Sequence, residues 1–144
     1  MDDPFQLERF LAAQAPIYAH ALAELREGDK RSHWMWFVFP QIAGLGASPM
    51  ARRYAIGSLD EARAYLAHPV LGGRLRESIA AVMAVQDRSA RQILGSPDDL
   101  KFRSSMTLFR EAASGDPMFQ QALDKHFAGE PDPLTLELLS AQAG

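Results

Sequence analysis

Cysteine is absent from the 144-residue chain. This excludes disulfide bonds, zinc sites built from thiolates and cysteine nucleophiles. It suits a reducing compartment, and we expect a soluble cytoplasmic protein. The four histidines are too far apart for a helical metal pair, so neither a metal nor a cofactor is predicted. We expect His20 to pair with Glu24 on a solvent-facing side of a helix.

Long apolar runs and an excess of basic residues are also missing. The longest apolar run is far shorter than the roughly 20 residues that span a bilayer. The first residues are acidic where a signal peptide is basic, so neither a leader nor membrane association is expected. Lys and Arg number 15 against 18 Asp and Glu, a net charge of −3. This balance argues against a nucleic-acid binder that uses a basic surface.

What the chain does contain is typical of a globular protein, with 47% hydrophobic and 23% charged residues. A chain of this length buries about two-thirds of its unfolded surface, enough for a hydrophobic core. Residues 1–144 contain no repeat and no long linker, which predicts a single domain. We favour a monomer.

Proline placement predicts where helices begin. Six of the nine prolines follow Asp, Ser or His, namely Pro4, Pro49, Pro69, Pro97, Pro117 and Pro133. A proline at the first helical position lacks only an N–H that would be unpaired there, and a preceding Asp or Ser accepts hydrogen bonds from the next amides. Ser58 and Glu61 have the spacing of a capping box. These signals predict about seven helices joined by short connections.

Apolar residues recur at three- and four-residue steps, which is the period of a helix. Pro16 interrupts the first such stripe and predicts a kink or two consecutive helices near residue 14. Gly72-Gly73 predicts close helix packing or a helix boundary. No segment has the alternation and turn signals of a hairpin. The predicted fold is all-α, with bundle-like or orthogonal packing around an aromatic block at 32–41.

The block at 32–41 holds both tryptophans of the chain. Six consecutive large apolar residues at 34–39 must lie in the core or line a pocket. Periodicity does not distinguish helix from strand here, but Ser32 as a cap and Pro40 as a stop favour a short buried helix. If Trp36 is central, Trp36→Ala costs about 3–5 kcal/mol of stability.

Candidate functional residues lie in and near this block. His33 offers an imidazole that moves protons near neutral pH, and Trp34 or Trp36 offers a surface for stacking a ring. The alternative is an aromatic core with a hydrogen-bonded histidine. Gln14 and Tyr18 are polar-tipped residues on an apolar stripe that either hydrogen bond within the core or face a ligand.

A glycine-bearing loop follows at 44–53. Gly44 and Gly46 let backbone amides approach a ligand, the helix start after Ser48 favours an anion, and Arg52 or Arg53 adds positive charge. The loop has neither the lysine of a P-loop nor the third glycine of a dinucleotide fingerprint. A plain loop closed by a helix cap explains the same residues.

Lys101 is the last candidate, three and four residues before Ser104 and Ser105. The known lysine-activated serine motif has the opposite order, so we favour a contribution of Lys101 or Asp99 to a polar pocket.

Two functions therefore remain open. The first is a pocket for a small anionic ligand, in which His33 is the catalytic residue and Gln41 faces the ligand. The second is a non-catalytic binding or scaffold domain whose aromatic block is simply core. Free side chains of His33 and Gln41 facing a cavity distinguish the first from the second.

Several blocks together closely resemble the family known as domain of unknown function 1810. They are 31–41 with 44–46, 65–69 with 71–72, 99–102 with 104–109, and 129–132 with Thr135. The resemblance covers essentially the whole chain and implies a small, single-domain, all-helical protein of uncharacterised activity. Some members are labelled calpastatin, but this chain has too many core residues for a disordered inhibitor repeat.

A second likeness is to small helical domains of ADP-ribose and NAD-derived metabolism. It rests on the compact helical layout and on Lys101-Phe102, without a shared catalytic motif. It implies a nucleotide-like ligand.

Overall fold

The computed structural model describes residues 3–143, which form ten helices. These are α1 (Glu8–Gln14), α2 (Tyr18–Glu27), α3 (Met35–Val38), α4 (Pro49–Arg53), α5 (Leu59–Ala67), α6 (Leu71–Ala84), α7 (Ala90–Leu94), α8 (Asp98–Ala112), α9 (Pro117–Phe127) and α10 (Pro133–Ala143). The predicted all-α class is confirmed. The helix count exceeds the expected number partly because α7, with five residues, is too short to show a helical period. No helix in the described part is long and apolar enough to span a bilayer.

Three of the proline-based helix starts are confirmed. Helices α4, α9 and α10 begin at Pro49, Pro117 and Pro133. In the first two, the preceding Ser48 or Asp116 accepts a hydrogen bond from a first-turn amide. The geometry is the one predicted, because proline and its capping residue act together at the first turn.

The other three starts are wrong by one to four residues. Helices α1, α6 and α8 begin after Pro4, Pro69 and Pro97, at Glu8, Leu71 and Asp98. The residues before two of these prolines still accept amide hydrogen bonds, and Asp3 does so from residues four and five positions later. The carboxylate of Asp3 accepts from the amides of residues 7–8 at 2.8 and 3.0 Å. His68 Nδ1 accepts from the amides of residues 70–71 at 3.1 and 3.2 Å.

The predicted interruption at Pro16 is confirmed, since α1 and α2 lie on either side of it. Gln14, at the end of α1, is buried and joins four helices. Its Nε2 donates to the carbonyl oxygen of Phe37 at 2.7 Å and to the hydroxyl of Tyr65 at 3.1 Å. Its Oε1 accepts from Arg74 Nη1 at 3.3 Å. The side chain therefore connects α1 to α3, α5 and α6.

Aromatic rings from several helices meet in the core. Phe10 packs edge-on against Tyr65, with ring centroids 5.1 Å apart. Phe39 packs in the same way against Phe102 at 4.9 Å, and Tyr65 contacts Phe109 at 5.5 Å. Helix α8 is central, because it packs against α5, α7, α9 and α10. The aromatic block thus contributes to one continuous core, as predicted.

The two tryptophans have different environments. The helical interpretation of the block is confirmed by α3, but Ser32 is not its cap, since Trp34 occupies that position without a side-chain bond. Trp34 is 0% exposed, whereas Trp36 is only partly buried against the core. Trp34, rather than Trp36, is therefore the tryptophan of the core. The loss of about 3–5 kcal/mol of stability expected for Trp36→Ala is therefore expected for Trp34→Ala instead.

A buried carboxylate holds the segment that precedes α3. Glu24, on α2, is 1% exposed. Its Oε1 accepts from Trp34 Nε1 at 2.9 Å and from the amides of Arg31 and Ser32 at 3.0 and 3.1 Å. Its Oε2 accepts from the Ser32 hydroxyl at 2.8 Å and lies 3.1 Å from His20 Nε2. The expected pairing of His20 with Glu24 is confirmed. The prediction that this pair lies on a solvent-facing side of the helix is wrong for Glu24, which is buried.

These contacts determine the charge state of Glu24. Burial raises its pKa, but the hydrogen bonds from Arg31, Trp34 and Ser32 outweigh burial and lower the pKa from 4.5 to about 2. The group is therefore an ionised carboxylate inside the protein at neutral pH. It remains ionised because nearly every lone pair has a donor.

Gly72 allows α5 and α6 to approach closely. A Cβ added there would lie 2.1 Å from the carbonyl oxygen of Leu66, whereas a Cβ at Gly73 would have nothing within 4 Å. The close helix packing predicted from this glycine pair is confirmed. It requires a glycine only at position 72.

We predict that Gly72→Ala destabilises the protein by about 1–3 kcal/mol, because the new methyl group must push the backbone of residue 66 away. Gly73→Ala is the matched control and should stabilise by up to about 1 kcal/mol through its higher helix propensity. Urea unfolding of both variants measures the difference. Equal effects at the two positions would contradict the close approach.

We predict that Glu24→Gln destabilises the protein on the order of 3 kcal/mol at pH 7, the free-energy equivalent of the lowered pKa. The folded pKa lies below the unfolded one, so the ionised group stabilises fully above the unfolded pKa. That contribution is lost as the pH falls from about 5 towards about 2. The difference between wild type and variant should therefore shrink on acidification.

Urea unfolding at pH 7 and pH 3 tests this expectation. Glu27→Gln is the control, because Glu27 lies on the same helix with its side chain 54% exposed. Its substitution should change stability by less than about 1 kcal/mol. A pH-independent effect of Glu24→Gln would show that the carboxylate charge is not what holds the segment.

Candidate functional site

The glycine-bearing loop is closed at its base by backbone hydrogen bonds. The amide of Ala43 donates to the carbonyl of Ile56, and the amide of Ile56 donates to the carbonyl of Gln41, both at 2.8 Å. Ile42 and Ile56, which form this parallel bridge, are 1% and 0% exposed. Residues 43–55 therefore leave the core and return to it at one point, as in a compact surface loop.

Arg9 holds the returning part of this loop against α1. Its Nε donates to the carbonyl of Arg53 at 2.8 Å, and its Nη2 donates to the carbonyl of Ala55 and to Glu61 Oε2, both at 2.8 Å. Its Nη1 donates to the carbonyls of residues 5–6 at 2.6 and 2.9 Å. The guanidinium is thus used by five acceptors and positions the loop rather than a ligand. No sequence motif identifies this role.

The loop encloses a cavity of about 190 Å³, with Trp36 of α3 in its wall. The other lining residues belong to 41–55. Five of the predicted site residues meet here: Trp36, Gln41, Gly44, Gly46 and Arg52. The structure therefore brings the end of the aromatic block and the glycine-bearing loop together.

Three donor groups of this loop make no hydrogen bond or ion pair with the described residues. Arg52 is exposed, and its guanidinium makes no ion pair with another residue of 3–143. The amides of Gly44 and Gly46 donate to no backbone carbonyl within the same range. The helix start contributes less than expected, because α4 has only five residues and the Ser48 hydroxyl already accepts from the Ala51 amide at 3.1 Å.

A second cavity, of about 270 Å³, also has Trp36 in its wall. Four of the predicted residues line it: His33, Trp34, Trp36 and Lys101. Trp36 lines both cavities and so lies between them. Because Trp34 is fully buried, Trp36 is the ring that offers accessible aromatic surface.

Two lysines in the second cavity share one carboxylate. Lys30 Nζ lies 2.8 Å from Asp98, and Lys101 Nζ lies 3.6 Å from the same side chain. Lys30 also lies 4.9 Å from the ring centroid of Trp34, and Lys101 lies 5.7 Å from that of Trp36. Two ammonium groups against one carboxylate leave the cavity with a positive balance. The sequence prediction included Lys101 but missed Lys30 and Asp98.

His33 and Gln41 both line cavities, which is the arrangement that favours a small-molecule site. His33 is exposed at the second cavity, and Gln41 is partly buried at the first. They lie in different cavities, however, with Trp36 between them. The catalytic role of His33 remains a prediction.

Gln14 and Tyr18 lie outside both cavities. The amide of Gln14 is hydrogen bonded within the core, as described above. The Tyr18 hydroxyl contacts the Glu77 carboxylate and lies 3.2 Å from the carbonyl oxygen of Arg74. Burial and the Glu77 carboxylate raise the pKa of Tyr18 to about 12, so it stays a neutral phenol. Both residues connect helices in this structure.

No group of three or more His, Asp or Glu residues suited to a metal ion occurs in the part of the chain that the structure describes. The two cavities present an aromatic ring, amide donors, an imidazole, cationic side chains and the carboxylate of Asp98.

The fold closely matches the crystal structure of a conserved hypothetical protein, Rv1873, from Mycobacterium tuberculosis. The TM-score is 0.94 and the sequences are 54% identical, over 96% of this chain and 99% of that chain. No curated protein matches this chain. The family model described as protein of unknown function (DUF1810) matches residues 4–139, nearly the whole chain. The protein therefore belongs to the DUF1810 family, as its sequence blocks indicated.

Proposed function

We propose that this protein binds a small anionic, ring-bearing ligand at the two cavities that flank Trp36. One observation carries the proposal. The partly exposed indole of Trp36 lies between a loop cavity with free amides and Arg52 and a second cavity with Lys30 and Lys101. An aromatic surface between two cationic regions suits a ligand that combines a flat ring with negative charge.

The cavity sizes support a ligand that uses both compartments. Their volumes are about 190 and 270 Å³, and each is below the roughly 300 Å³ at which small-molecule pockets begin. In this proposal a nucleotide-like molecule, with a base and a phosphorylated sugar, places its ring against Trp36 and its phosphate beside Arg52. ADP-ribose and other NAD-derived nucleotides have this chemistry.

The charges near Trp36 support an anion despite the acidic composition. Arg52 has no ion-pair partner within residues 3–143, so binding an anion there breaks no existing pair. A hydrogen bond to a charged partner contributes about 1.5–3 kcal/mol. The net charge of −3 is a sum over the whole chain. A cavity with cationic side chains still attracts an anion locally.

In this proposal His33 is the proton-transfer residue. Its imidazole is exposed at the second cavity, on the opposite side of Trp36 from Gln41. Imidazole both donates and accepts a proton near neutral pH. His33 therefore acts on the part of the ligand that lies next to Lys101.

The second candidate function is a non-catalytic binding or scaffold domain. It is favoured by the burial of most of the aromatic block, since Trp34, Phe37 and Phe39 are 0%, 7% and 0% exposed. In that case Trp36 and the loop cavity are surface features of a domain that uses another face.

A thermal-shift panel of nucleotides, ADP-ribose, NAD and sugar phosphates tests the ligand proposal. A ligand at 100 times its Kd stabilises by about 2.7 kcal/mol, a rise in Tm of about 5–10 °C for a chain of this size. Arg52→Ala should weaken binding by about 10- to 100-fold, the equivalent of one charged hydrogen bond. Trp36→Ala should weaken it as well.

Arg53→Ala is the matched control, because Arg53 is the next residue on α4, is also exposed, and lies outside both cavities. It should leave binding unchanged. His33→Ala should retain binding and lose any turnover detected by mass spectrometry. If no compound shifts the wild type, or if both arginine variants weaken binding equally, the scaffold function replaces this proposal.

A further inference from the structure

An apolar groove lies between the glycine-bearing loop and α10. Its volume is about 380 Å³. Helix α10 contributes Leu134, Leu138 and Ala141, which are spaced as one helical face, and the loop contributes Leu45. Leu134 is 58% exposed. An apolar helical face of this kind normally packs against another apolar surface, and part of this one lies open.

The groove adjoins the loop cavity at a single residue. Gly44 lines both of them. A Cβ added to Gly44 would lie 3.2 Å from Leu138 Cδ2, and its φ of +104° also disfavours other residues. The two spaces therefore meet at a residue that has no side chain. A side chain at this position would crowd Leu138.

The loop cavity and the groove are lined by side chains of opposite charge. Arg52 lines the loop cavity, whereas Glu137 lines the groove beyond Gly44. An anionic group is favoured beside Arg52 and repelled beside Glu137. A molecule that lies across Gly44 therefore carries its negative charge at one end and an uncharged, apolar segment at the other.

We infer that the ligand of the loop cavity is amphiphilic, with an anionic group near Arg52 and an apolar chain that crosses Gly44 into the groove. This inference rests on the proposed function, because the anionic group is the one that Arg52 binds there. The proposed substrate class is thereby narrowed to anionic, ring-bearing compounds that also carry an alkyl or acyl chain.

The limited exposed apolar surface of the groove lining favours a ligand chain over a second copy of the protein. Leu134 is the one large hydrophobic residue of its lining that is more than half exposed, while Leu45 and Leu138 are partly buried. A stable protein interface needs about 800 Å² from each partner. An apolar groove that shares a lining residue with a polar cavity suits a short hydrocarbon chain.

Isothermal titration calorimetry with inorganic phosphate and with n-butyl, n-hexyl and n-octyl phosphate tests the inference on the full chain. The affinity should rise about fourfold for each buried methylene, until the groove is filled. Leu134→Asp should abolish this gain with chain length and leave inorganic phosphate binding unchanged. Leu100→Asp is the matched control, because Leu100 is 54% exposed on α8, and it should retain the full gain.

The outcomes separate this inference from the proposed function. If the affinity is equal at all chain lengths and Arg52→Ala weakens the binding of every compound, the inference of an amphiphilic ligand is overturned. The proposed anion site then remains. Absence of binding by phosphate, alkyl phosphates and nucleotides overturns both. A wild-type dimer in sedimentation that Leu134→Asp converts to monomer, without any gain with chain length, assigns the groove to a second copy and overturns the inference.

Discussion

The ionised carboxylate of Glu24 is the interaction on which the candidate site depends. It lies inside the protein and accepts hydrogen bonds from Arg31, Ser32 and Trp34. These bonds hold the connection between α2 and α3 and orient the buried indole of Trp34. Trp34 is the residue directly before α3, so its anchored indole holds the start of that short helix against α2. Trp36 lies two residues later, on α3 itself.

A second anchor lies on the other side of Trp36. The bridge between Ile42 and Ile56 closes the loop at its base, and Arg9 ties the returning segment to α1 and α5 through Arg53, Ala55 and Glu61. The loop cavity is therefore enclosed by backbone that is held at both ends. Because charged hydrogen bonds and buried aliphatic side chains act together, the cavity is part of the fold and does not require a ligand to form.

Much of the architecture was predictable from the sequence, because its causes are local. Pro16 divides two helices, and Ser48-Pro49 and Asp116-Pro117 begin two others, since proline and a capping side chain act within one turn. The site was predictable only in part. The loop glycines and Arg52 are near Trp36 in sequence, whereas Arg9 and Asp98 reach the site from other helices. Neither these two residues nor Lys30 belongs to a motif.

The sequence by itself determined an all-α domain with an aromatic block in its core, because helical period, caps and apolar composition are properties of short segments. Tertiary structure alone decided which tryptophan is buried. Trp34 and Trp36 have the same chemistry, and Trp34 is the buried one because the carboxylate of Glu24, ten residues earlier, accepts its Nε1–H at 2.9 Å. The tertiary structure likewise placed Gln14 among core helices and Trp36 between two cavities, since burial depends on partners that are distant in the chain.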